Sequence, residues 1–210
     1  MSRPPSHNPT DARPGYHHGD LRRALLAAAR DLLEDPSSGG ITMRAAAQAA
    51  GVSAAAPYRH FKDREALYAA VLCDGFQELA TALHEAREAQ PDPVAAYLGV
   101  GRAYLGFAAA HPRLFAAMFS ADFNRMLHPE LLDAGRSAFA QVREAARALE
   151  QAGLTGNRGA DDVALAGWCT VHGLASIQVD DLLQHVLPVD PLHAAEALFS
   201  ILVEGIAPRS

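Results

Sequence analysis

One short segment of the chain carries basic, hydroxyl and aromatic side chains of the kinds that contact nucleic acids. Arg44 is a long planar donor that could pair with guanine O6 and N7. Tyr58 and His60 carry O–H and N–H donors suited to phosphate, a contact that sets register without reading sequence. Lys62 and Arg64 stand at the start of a predicted helix, whose free N–H groups already favour an anion. The chemistry predicted for this segment is therefore DNA binding.

Two short helices around a glycine turn would position these donors. Thr42 and Ser53 can N-cap the first and second helix, because a hydroxyl side chain satisfies a free backbone N–H. Gly51 stands where the chain must reverse, a position that favours φ > 0. Asp63 is the predicted N-cap of the long helix that follows. A helix-turn-helix of this kind lays its second helix into a DNA major groove, although many helical hairpins share the spacing.

The second helix would present small side chains to the groove. Its predicted contacts are Ser53, Ala54, Ala55 and Ala56. Because an alanine can only touch a thymine methyl or exclude other groups, we expect specificity to rest on Arg44, Arg59 and DNA shape. Thr42 is expected to contact phosphate while it caps. For Arg44 the alternative is a plain surface charge. Phe61 is interpreted as core that pins the reading helix.

The run V-S-A-A-A-P-Y-R-H-F-K-D-R-E-A-L resembles the signature of the TetR family of bacterial transcriptional regulators. Tyr58, His60 and Phe61 match the family pattern at the end of the reading helix, and Arg64 stands where a lysine is usual. The resemblance continues upstream through G-Y-H-H-G-D-L-R-R-A-L-L-A-A-A-R-D-L-L and covers roughly the first third of the chain. Further on, W-C-T-V-H-G resembles the Trp…His-Gly signature of one subgroup of TetR-type C-terminal domains. The resemblance implies base contact by an arginine at the position of Arg44.

Helical periodicity and this resemblance predict an all-α fold in three parts. Residues 1–15 form a flexible arm, too rich in proline and polar residues to pack. Residues 16–63 form a three-helix DNA-binding domain, and residues 64–210 form a helical domain for ligand binding and dimerisation. No stretch alternates convincingly with the period of two that marks a strand. Beyond the short helices, helices are predicted at residues 18–34, 64–89, 94–110, 113–120, 129–153, 160–185 and 191–206.

Charge is unevenly distributed along the 210 residues, which carry −6 in all. Residues 1–68 hold nine Arg and Lys against seven Asp and Glu, hence +2, and the remainder holds nine against seventeen, hence −8. The acidic part of the chain therefore lies downstream of the predicted DNA-binding segment. Because a surplus of two is modest, DNA affinity would need a dimer, which doubles the phosphate contacts.

Other compositional features favour a cytoplasmic protein. Two cysteines are too few for a disulfide framework, which points to a reducing compartment. No run approaches the ~20 apolar residues of a membrane helix. The polar, proline-rich N-terminus lacks the apolar region of a signal peptide. We expect no membrane partner.

The residues just before the first helix could extend the DNA contact, because basic or aromatic arms often reach a neighbouring groove. Tyr16 and His17 are the predicted contacts, being close to the folded body. An arm that touches nothing is an equal alternative for Arg3 and Arg13.

No catalytic or metal-binding constellation is predicted in the second part of the chain. The sequence has no G-x-S-x-G, phosphate loop, H-E-x-x-H or C-x-x-C motif. Cys169 and His172 lie three apart on one helical face and could form a thiolate–imidazole pair, but no third metal ligand stands nearby. We therefore expect no enzyme, no cofactor and no metal site.

Apolar and aromatic side chains of the central helices are candidates for a ligand cavity. Trp168 and His172 are the favoured polar-tipped members, because each keeps a hydrogen-bonding group in an apolar setting. The other predicted ligand contacts are Tyr104, Phe107, Phe115, Met118, Phe119 and Phe123. For any one of them the alternative is plain core. The family resemblance implies that a small-molecule effector binds here and alters the spacing of two DNA readers.

The last two helices carry small and apolar faces that predict a homodimer held by a four-helix bundle. The predicted interface residues are Val163, Gly167, Val171 and Leu174 on one helix, and Leu198, Ile201 and Leu202 on the other. Two readers on a two-fold axis imply a palindromic double-stranded operator. The combined prediction is a dimeric, ligand-responsive regulator, a repressor in preference to an activator. The rival is a helical small-molecule-binding protein or enzyme that kept the fold and lost DNA binding.

Overall fold

A computed structural model of the chain describes residues 18–182, 185 and 190–206. Within those ranges it contains eight bounded α-helices, two single-turn 3₁₀ helices and no strand. The all-α prediction is thereby confirmed. Tyr16 and His17, the predicted DNA contacts of the arm, lie outside the described residues.

Numbered in chain order, the helices are α1 His18–Glu34, α2 Met43–Ala49, α3 Arg64–Glu88, α4 Pro93–Ala110, α5 Pro112–Phe119, α6 Pro129–Gln151, α7 Ala160–Val179 and α8 Pro191–Ile206. The 3₁₀ turns are Pro57–Arg59 and Arg125–Leu127. Prolines open α4, α5 and α6 in the first turn, where the missing N–H costs no hydrogen bond. Helix α7 stops at Val179, before its predicted end, because Asp181 adopts a left-handed φ of 55°.

Helix α3 connects the N-terminal helices to the rest of the molecule. It packs against α1, α4, α5 and α6. Its buried side chains, among them Leu67, Leu72 and Leu83, belong to one hydrophobic core that continues from Leu25 in α1 to Ala195 in α8. One core therefore supports both functional parts, and the division of the chain at residue 63 remains a prediction.

The close contact of α4 with α7 depends on Gly167. The Tyr97 hydroxyl donates to the Val163 carbonyl at 3.0 Å. A Cβ placed at Gly167 would overlap that hydroxyl and lie 2.8 Å from Tyr97 Cζ. Burial raises the pKa of Tyr97 to about 12. The phenol can occupy this place because residue 167 has no side chain.

Four of the seven predicted dimer-interface residues are buried within the single chain, contrary to the prediction. Val163, Val171 and Leu174 are at most 6% exposed, and Gly167 is buried with them. Helix α7 turns this face toward its own chain, as the bond from Tyr97 shows. These residues stabilise the monomer fold, because the inner face of α7 that carries them packs within the chain.

The outer face of the last two helices is apolar as well. Ile177 of α7 is exposed, as are Leu198 and Ile201 of α8, the last with 66% of its surface open. Leu202 is half-buried. The interface prediction therefore stays open for Leu198, Ile201 and Leu202. None of the helices in the described part of the chain is long and apolar enough to cross a bilayer.

Candidate nucleic-acid interface and ligand cavity

The turn after α2 has the geometry that its residue types predict. Thr42 Oγ1 accepts a hydrogen bond at 3.0 Å from the N–H three residues on, which confirms it as the N-cap. Gly51 has a φ of 68°. The N–H groups of Gly51 and Val52 bond back to the carbonyls of Gln48 and Ala47. This pair of bonds is the Schellman motif, which ends a helix and reverses the chain.

The element after this turn is shorter than the predicted reading helix. It consists of a turn and the 3₁₀ helix Pro57–Arg59. In an α-helix capped by Ser53, the N–H of residue 57 would bond to the Ser53 carbonyl, but proline has no N–H. The Ser53 carbonyl instead accepts from the Ala56 N–H at 2.9 Å, and the Ala56 carbonyl accepts from Arg59. The expected α-helix from Ser53 is thus replaced by a tighter i→i+3 turn.

Most predicted DNA contacts lie on the surface. The exposed ones are Thr42, Arg44, Ser53, Ala54, Ala55, Tyr58, Arg59, Lys62 and Arg64. Tyr58 stands out, with 62% of its surface open. Ala56 is buried, at 9% exposed, because the bond from its N–H to Ser53 turns its methyl toward the protein. The prediction that Ala56 faces a groove is wrong.

Of the predicted phosphate contacts, Arg64 is partly engaged within the protein and His60 is partly buried. Arg64 Nε donates to the Ile41 carbonyl at 2.6 Å, which ties the start of α3 to the residue before the α2 cap. Asp63 Oδ1 accepts from the Ala66 N–H at 2.9 Å and is confirmed as the α3 N-cap. The Nε2 of His60 is buried without a hydrogen-bond partner among the described residues. The Nδ1 is therefore the nitrogen of His60 left to reach a phosphate.

Phe61 holds residues 53–60, the reading turn, against the body of the protein. Its ring is 4% exposed and belongs to the same core as Leu25 and Leu26 of α1. The Arg22 guanidinium lies over the ring, 5.4 Å from its centroid. The interpretation of Phe61 as core is confirmed.

The surface around the turn is basic. Between residues 42 and 64 the chain carries Arg44, Arg59, Lys62 and Arg64 against a single acid, Asp63. The Asp63 carboxylate is occupied as a helix cap. Such a surface attracts phosphate, and the small exposed alanines of the turn allow a duplex to approach closely.

A cavity of about 780 Å³ lies among helices α3 to α7. This volume is in the range of small-molecule sites. Its wall is mostly apolar and includes Phe76, Leu79 and Leu83 from α3 together with Leu131 and Phe139 from α6.

Three of the predicted ligand contacts line this cavity, namely Tyr104, Phe119 and Trp168. Three others, Phe107, Phe115 and Met118, lie at most 6% exposed in the core. They do not line this cavity, so their ligand contact stays a prediction.

The two remaining predicted ligand contacts, Phe123 and His172, do not line the cavity either. Phe123 stacks on His128, with ring centroids 5.1 Å apart. His172 lies behind the wall, where it stacks on Trp168 at 5.4 Å and packs against Phe119 at 4.5 Å between centroids. His172 therefore supports wall residues without lining the cavity itself.

Hydrogen bonding and stacking orient the polar tips of the wall. The Tyr104 hydroxyl lies 2.9 Å from His172 Nδ1, and the His172 ring stacks on Trp168. Burial raises the pKa of Tyr104 and lowers the pKa of His172. A neutral imidazole can accept from the phenol. The Tyr104 hydroxyl is thereby satisfied, so it orients the wall more than it offers a free donor.

Three arginines that sequence reasoning missed line the same cavity: Arg125, Arg136 and Arg143. Arg136 pairs with Asp133 at 2.8 Å. Arg143 makes two bonds to the Asp161 carboxylate, at 2.8 and 2.9 Å. No local signal marks these arginines, because a basic residue on an amphipathic helix is typical of a solvated face.

Helix α5 joins the cavity to the N-terminal helices. Phe119, its last residue, lines the cavity. At its other end the N–H groups of Arg113 and Leu114 donate to the Glu34 carboxylate, at 3.3 and 3.1 Å. Glu34 is the last residue of α1, and its negative charge suits the N-terminus of a helix.

A second polar link lies beside the first. Arg30 of α1 donates to Glu78 of α3, and His111 approaches the same carboxylate at 3.3 Å. The hydrogen bond from Arg30 is the main reason that the pKa of Glu78 is lowered. Both links connect the α1 end of the molecule to the start of α5.

Two family models match the chain at the two parts just described. The model of bacterial regulatory proteins of the tetR family matches residues 25–71, and that of the tetracyclin repressor-like C-terminal domain matches residues 97–203, half of the chain. The chain belongs to the TetR family. Its reading turn thus lies in the helix-turn-helix of a TetR-type transcriptional regulator, and most of its cavity wall lies in the C-terminal domain.

Solved structures show the same TetR fold over most of the chain. A protein with unknown function from Rhodococcus sp. RHA1 is 32% identical, with a TM-score of 0.82, over 93% of this chain and 100% of that chain. A TetR family protein from Vibrio parahaemolyticus is 21% identical, with a TM-score of 0.70, over 90% and 100% of the two chains. The fatty acid degradation regulator FadR from Bacillus halodurans is 12% identical, with a TM-score of 0.73, over 92% and 100%. The last two similarities concern the fold alone. No curated protein sequence matches the chain.

Metal-binding geometry is not found in the part of this TetR family member that the structure describes, where no three His, Cys, Asp or Glu side chains could share an ion. Cys169 is exposed, whereas His172 faces the aromatic wall and bonds to Tyr104. Burial raises the pKa of the other cysteine, Cys73, to about 11, so this thiol is protonated at neutral pH.

Proposed function

We propose that this TetR family protein is a homodimeric repressor that binds a palindromic operator and is released by a small apolar or amphipathic ligand. The observation that carries the proposal is an exposed basic reading turn and an apolar cavity of about 780 Å³ supported by one core. The protein has no catalytic role and no cofactor in this proposal. Because its partner is double-stranded DNA, it acts in the bacterial cytoplasm.

The proposed DNA contacts are of two kinds, those that contact bases and those that contact phosphate. Arg44, exposed at the start of α2, reads a base edge with its planar guanidinium. Tyr58 and Lys62, exposed on either side of the buried Phe61, hold phosphate and set the register. The exposed methyl of Ala55 allows the turn to approach a thymine methyl. Readout by the turn itself is sparse, so DNA shape contributes to specificity.

The proposed dimer forms through the outer apolar face of α7 and α8. Ile177 on α7 and Leu198 and Ile201 on α8 are exposed in the single chain. Burying them against the same helices of a second copy gives a four-helix bundle with two-fold symmetry. The two reading turns then double the phosphate contacts, which offsets the modest basic surplus of one turn.

Release of DNA would pass through α5. A ligand that packs against Phe119 pushes on one end of this helix, and Glu34 of α1 holds the other end. A ligand that binds the DNA-incompetent spacing of the two readers more tightly shifts the population toward that state. The affinity for operator then falls by the ratio of the two ligand affinities.

Selection of DNA from a random pool by the purified protein should enrich a palindrome. The physical reason is that two readers on a two-fold axis bind two half-sites about one helical turn, or a multiple of it, apart. The rival function, a TetR fold that has lost DNA binding, predicts no enriched palindrome even at low salt, where phosphate contacts are strongest. That outcome would overturn the proposed function.

Arg44→Ala and Tyr58→Phe should weaken operator binding in different ways. Loss of a bidentate base contact costs about 1–3 kcal/mol on the operator and little on random DNA, so the Arg44 variant loses specificity. Loss of the Tyr58 hydroxyl removes a phosphate contact, so binding to both DNAs weakens by a similar factor. Competition binding with operator and random duplexes at one salt concentration measures both effects. Similar losses on the two DNAs for both variants would show that these roles are wrongly assigned.

A further inference from the structure

Arg125 is a cavity arginine without an opposite charge in the described part of the chain. It lies in the 3₁₀ turn between α5 and α6 and lines the cavity. Its Nη2 donates to the Ser120 carbonyl at 2.7 Å, which is a neutral acceptor. None of the ion pairs found among the described residues includes it.

The other charges of the wall are already neutralised. Arg136 pairs with Asp133, and Arg143 is held by both oxygens of Asp161. The described wall contains no aspartate or glutamate. The cavity therefore carries one positive charge in excess, and a ligand with one negative charge would complement it at Arg125.

The rest of the wall suits a hydrocarbon. Phe76, Leu79 and Leu83 from α3 and Phe139 from α6 line the cavity. The hydroxyl of Tyr104, the phenol in the wall, is already bonded to His172. A polar ligand body would lose its bonds to water and find few replacements here, whereas an apolar chain gains from burial.

We propose that this cavity binds an anionic amphiphile, with its apolar chain against Phe76, Leu83 and Phe139 and a single carboxylate paired with Arg125. This ligand class supplies the effector of the proposed function, and its regulatory meaning rests on that function. Binding itself requires no DNA.

The position of Arg125 gives the bound charge a route to the DNA-binding part. His128, at the end of the same turn, contacts Glu65 at 3.1 Å through its Nε2. Glu65 lies in the first turn of α3, next to the proposed DNA contacts Lys62 and Arg64. A carboxylate that pulls on Arg125 therefore acts on a turn that is held against the start of α3.

The emission of Trp168 can report binding directly. Trp168 is the single tryptophan of the chain and lines the cavity. The full chain is titrated with decanoate and with decanol, which share a ten-carbon chain and differ in charge, each below the concentration at which it forms aggregates. We expect saturable binding of decanoate and at least about tenfold weaker binding of decanol, because a hydrogen-bonded charge pair contributes that much.

Arg125→Gln should remove this preference. Its affinity for decanoate should fall about tenfold, while its affinity for decanol stays near that of the wild type. Arg102→Gln is the matched control, because Arg102 is an exposed arginine of α4 outside the cavity wall, and it should bind both compounds like the wild type. Arg125→Lys keeps the charge and should retain part of the preference for decanoate, which tests the proposal if the glutamine variant does not fold.

Several outcomes would overturn the proposal. Equal affinity of the wild type for decanoate and decanol would do so, as would an unchanged decanoate affinity in Arg125→Gln. Binding of neither compound would also overturn it. If in that case the Trp168 emission changes with protein concentration alone, the cavity opening is assigned to a second copy of the chain. A failed DNA selection leaves these titrations unaffected, so the ligand proposal and the regulator proposal can fail separately.

Discussion

Gly167→Ala is expected to destabilise the fold by about 2–4 kcal/mol. The new Cβ would overlap the Tyr97 hydroxyl and lie 2.8 Å from Tyr97 Cζ, so the phenol must leave its place. Moving it breaks the bond to the Val163 carbonyl at a site where Tyr97 is almost fully buried. Urea denaturation followed by circular dichroism measures the loss, and the apparent melting temperature should fall by about 5–15 °C.

Gly106→Ala is the matched control for this substitution. Gly106 lies on the exposed side of α4, and a Cβ there meets no atom within 4 Å. Because alanine forms helices better than glycine, we expect no loss of stability, or a gain of up to about 1 kcal/mol. If both variants were as stable as the wild type, the contact between Tyr97 and Gly167 would not be tight, and Gly167 would again be available for an interface.

Phe61→Ala is expected to cost about 3–5 kcal/mol, the usual loss for a buried phenylalanine. The ring packs in the core with residues of α1 and is covered by Arg22. Its removal leaves a cavity under the reading turn and detaches the turn from α1. Since a whole protein is stabilised by only about 5–15 kcal/mol, the variant should denature at much lower urea concentration.

Tyr58→Ala provides the control, because Tyr58 belongs to the same turn and is mostly exposed. Its stability should stay within about 0.5 kcal/mol of the wild type, while its affinity for DNA falls. The two aromatic residues would thereby separate the positioning of the turn from its contact with DNA. Equal destabilisation by Phe61→Ala and Tyr58→Ala would contradict this division.

Local chemistry was sufficient to predict the framework of the DNA-binding part. Thr42 and Asp63 cap helices, and Gly51 adopts a positive φ, as their residue types require. Each of these features depends on atoms within a few residues along the chain, so sequence alone specifies it.

Pro57 shows how a local rule fails when a residue stands one position further from the helix N-terminus than the rule allows. A proline is harmless in the first turn of a helix only while its N–H is not needed. With Ser53 as cap, residue 57 is the first to need one, and the structure forms a 3₁₀ turn instead. The exposure of Tyr58 and the burial of Ala56 follow from this change of register.

The presence of an apolar ligand cavity could be predicted from the sequence, but the residues that line it could not. Phe115 and Phe119 are one helical turn apart on α5 and have the same chemistry, yet Phe115 lies in the core and Phe119 lines the cavity. The sequence does not mark Arg125, because its place in the cavity depends on a wall built from α3, α6 and α7 around it. Residue type determines that a side chain prefers burial, and the packing of distant helices determines what it is buried against.

The sequence by itself determined the helices, the caps, the basic turn and the TetR resemblance, because these depend on neighbours along the chain. Only the tertiary structure decided which face of α7 is inner and which is outer. Gly167 and Val163 meet Tyr97 of the same chain, whereas Leu165, between them, is left exposed. Small and apolar residues serve equally well in a core, a cavity wall or a subunit interface. The choice among these depends on how closely another helix approaches.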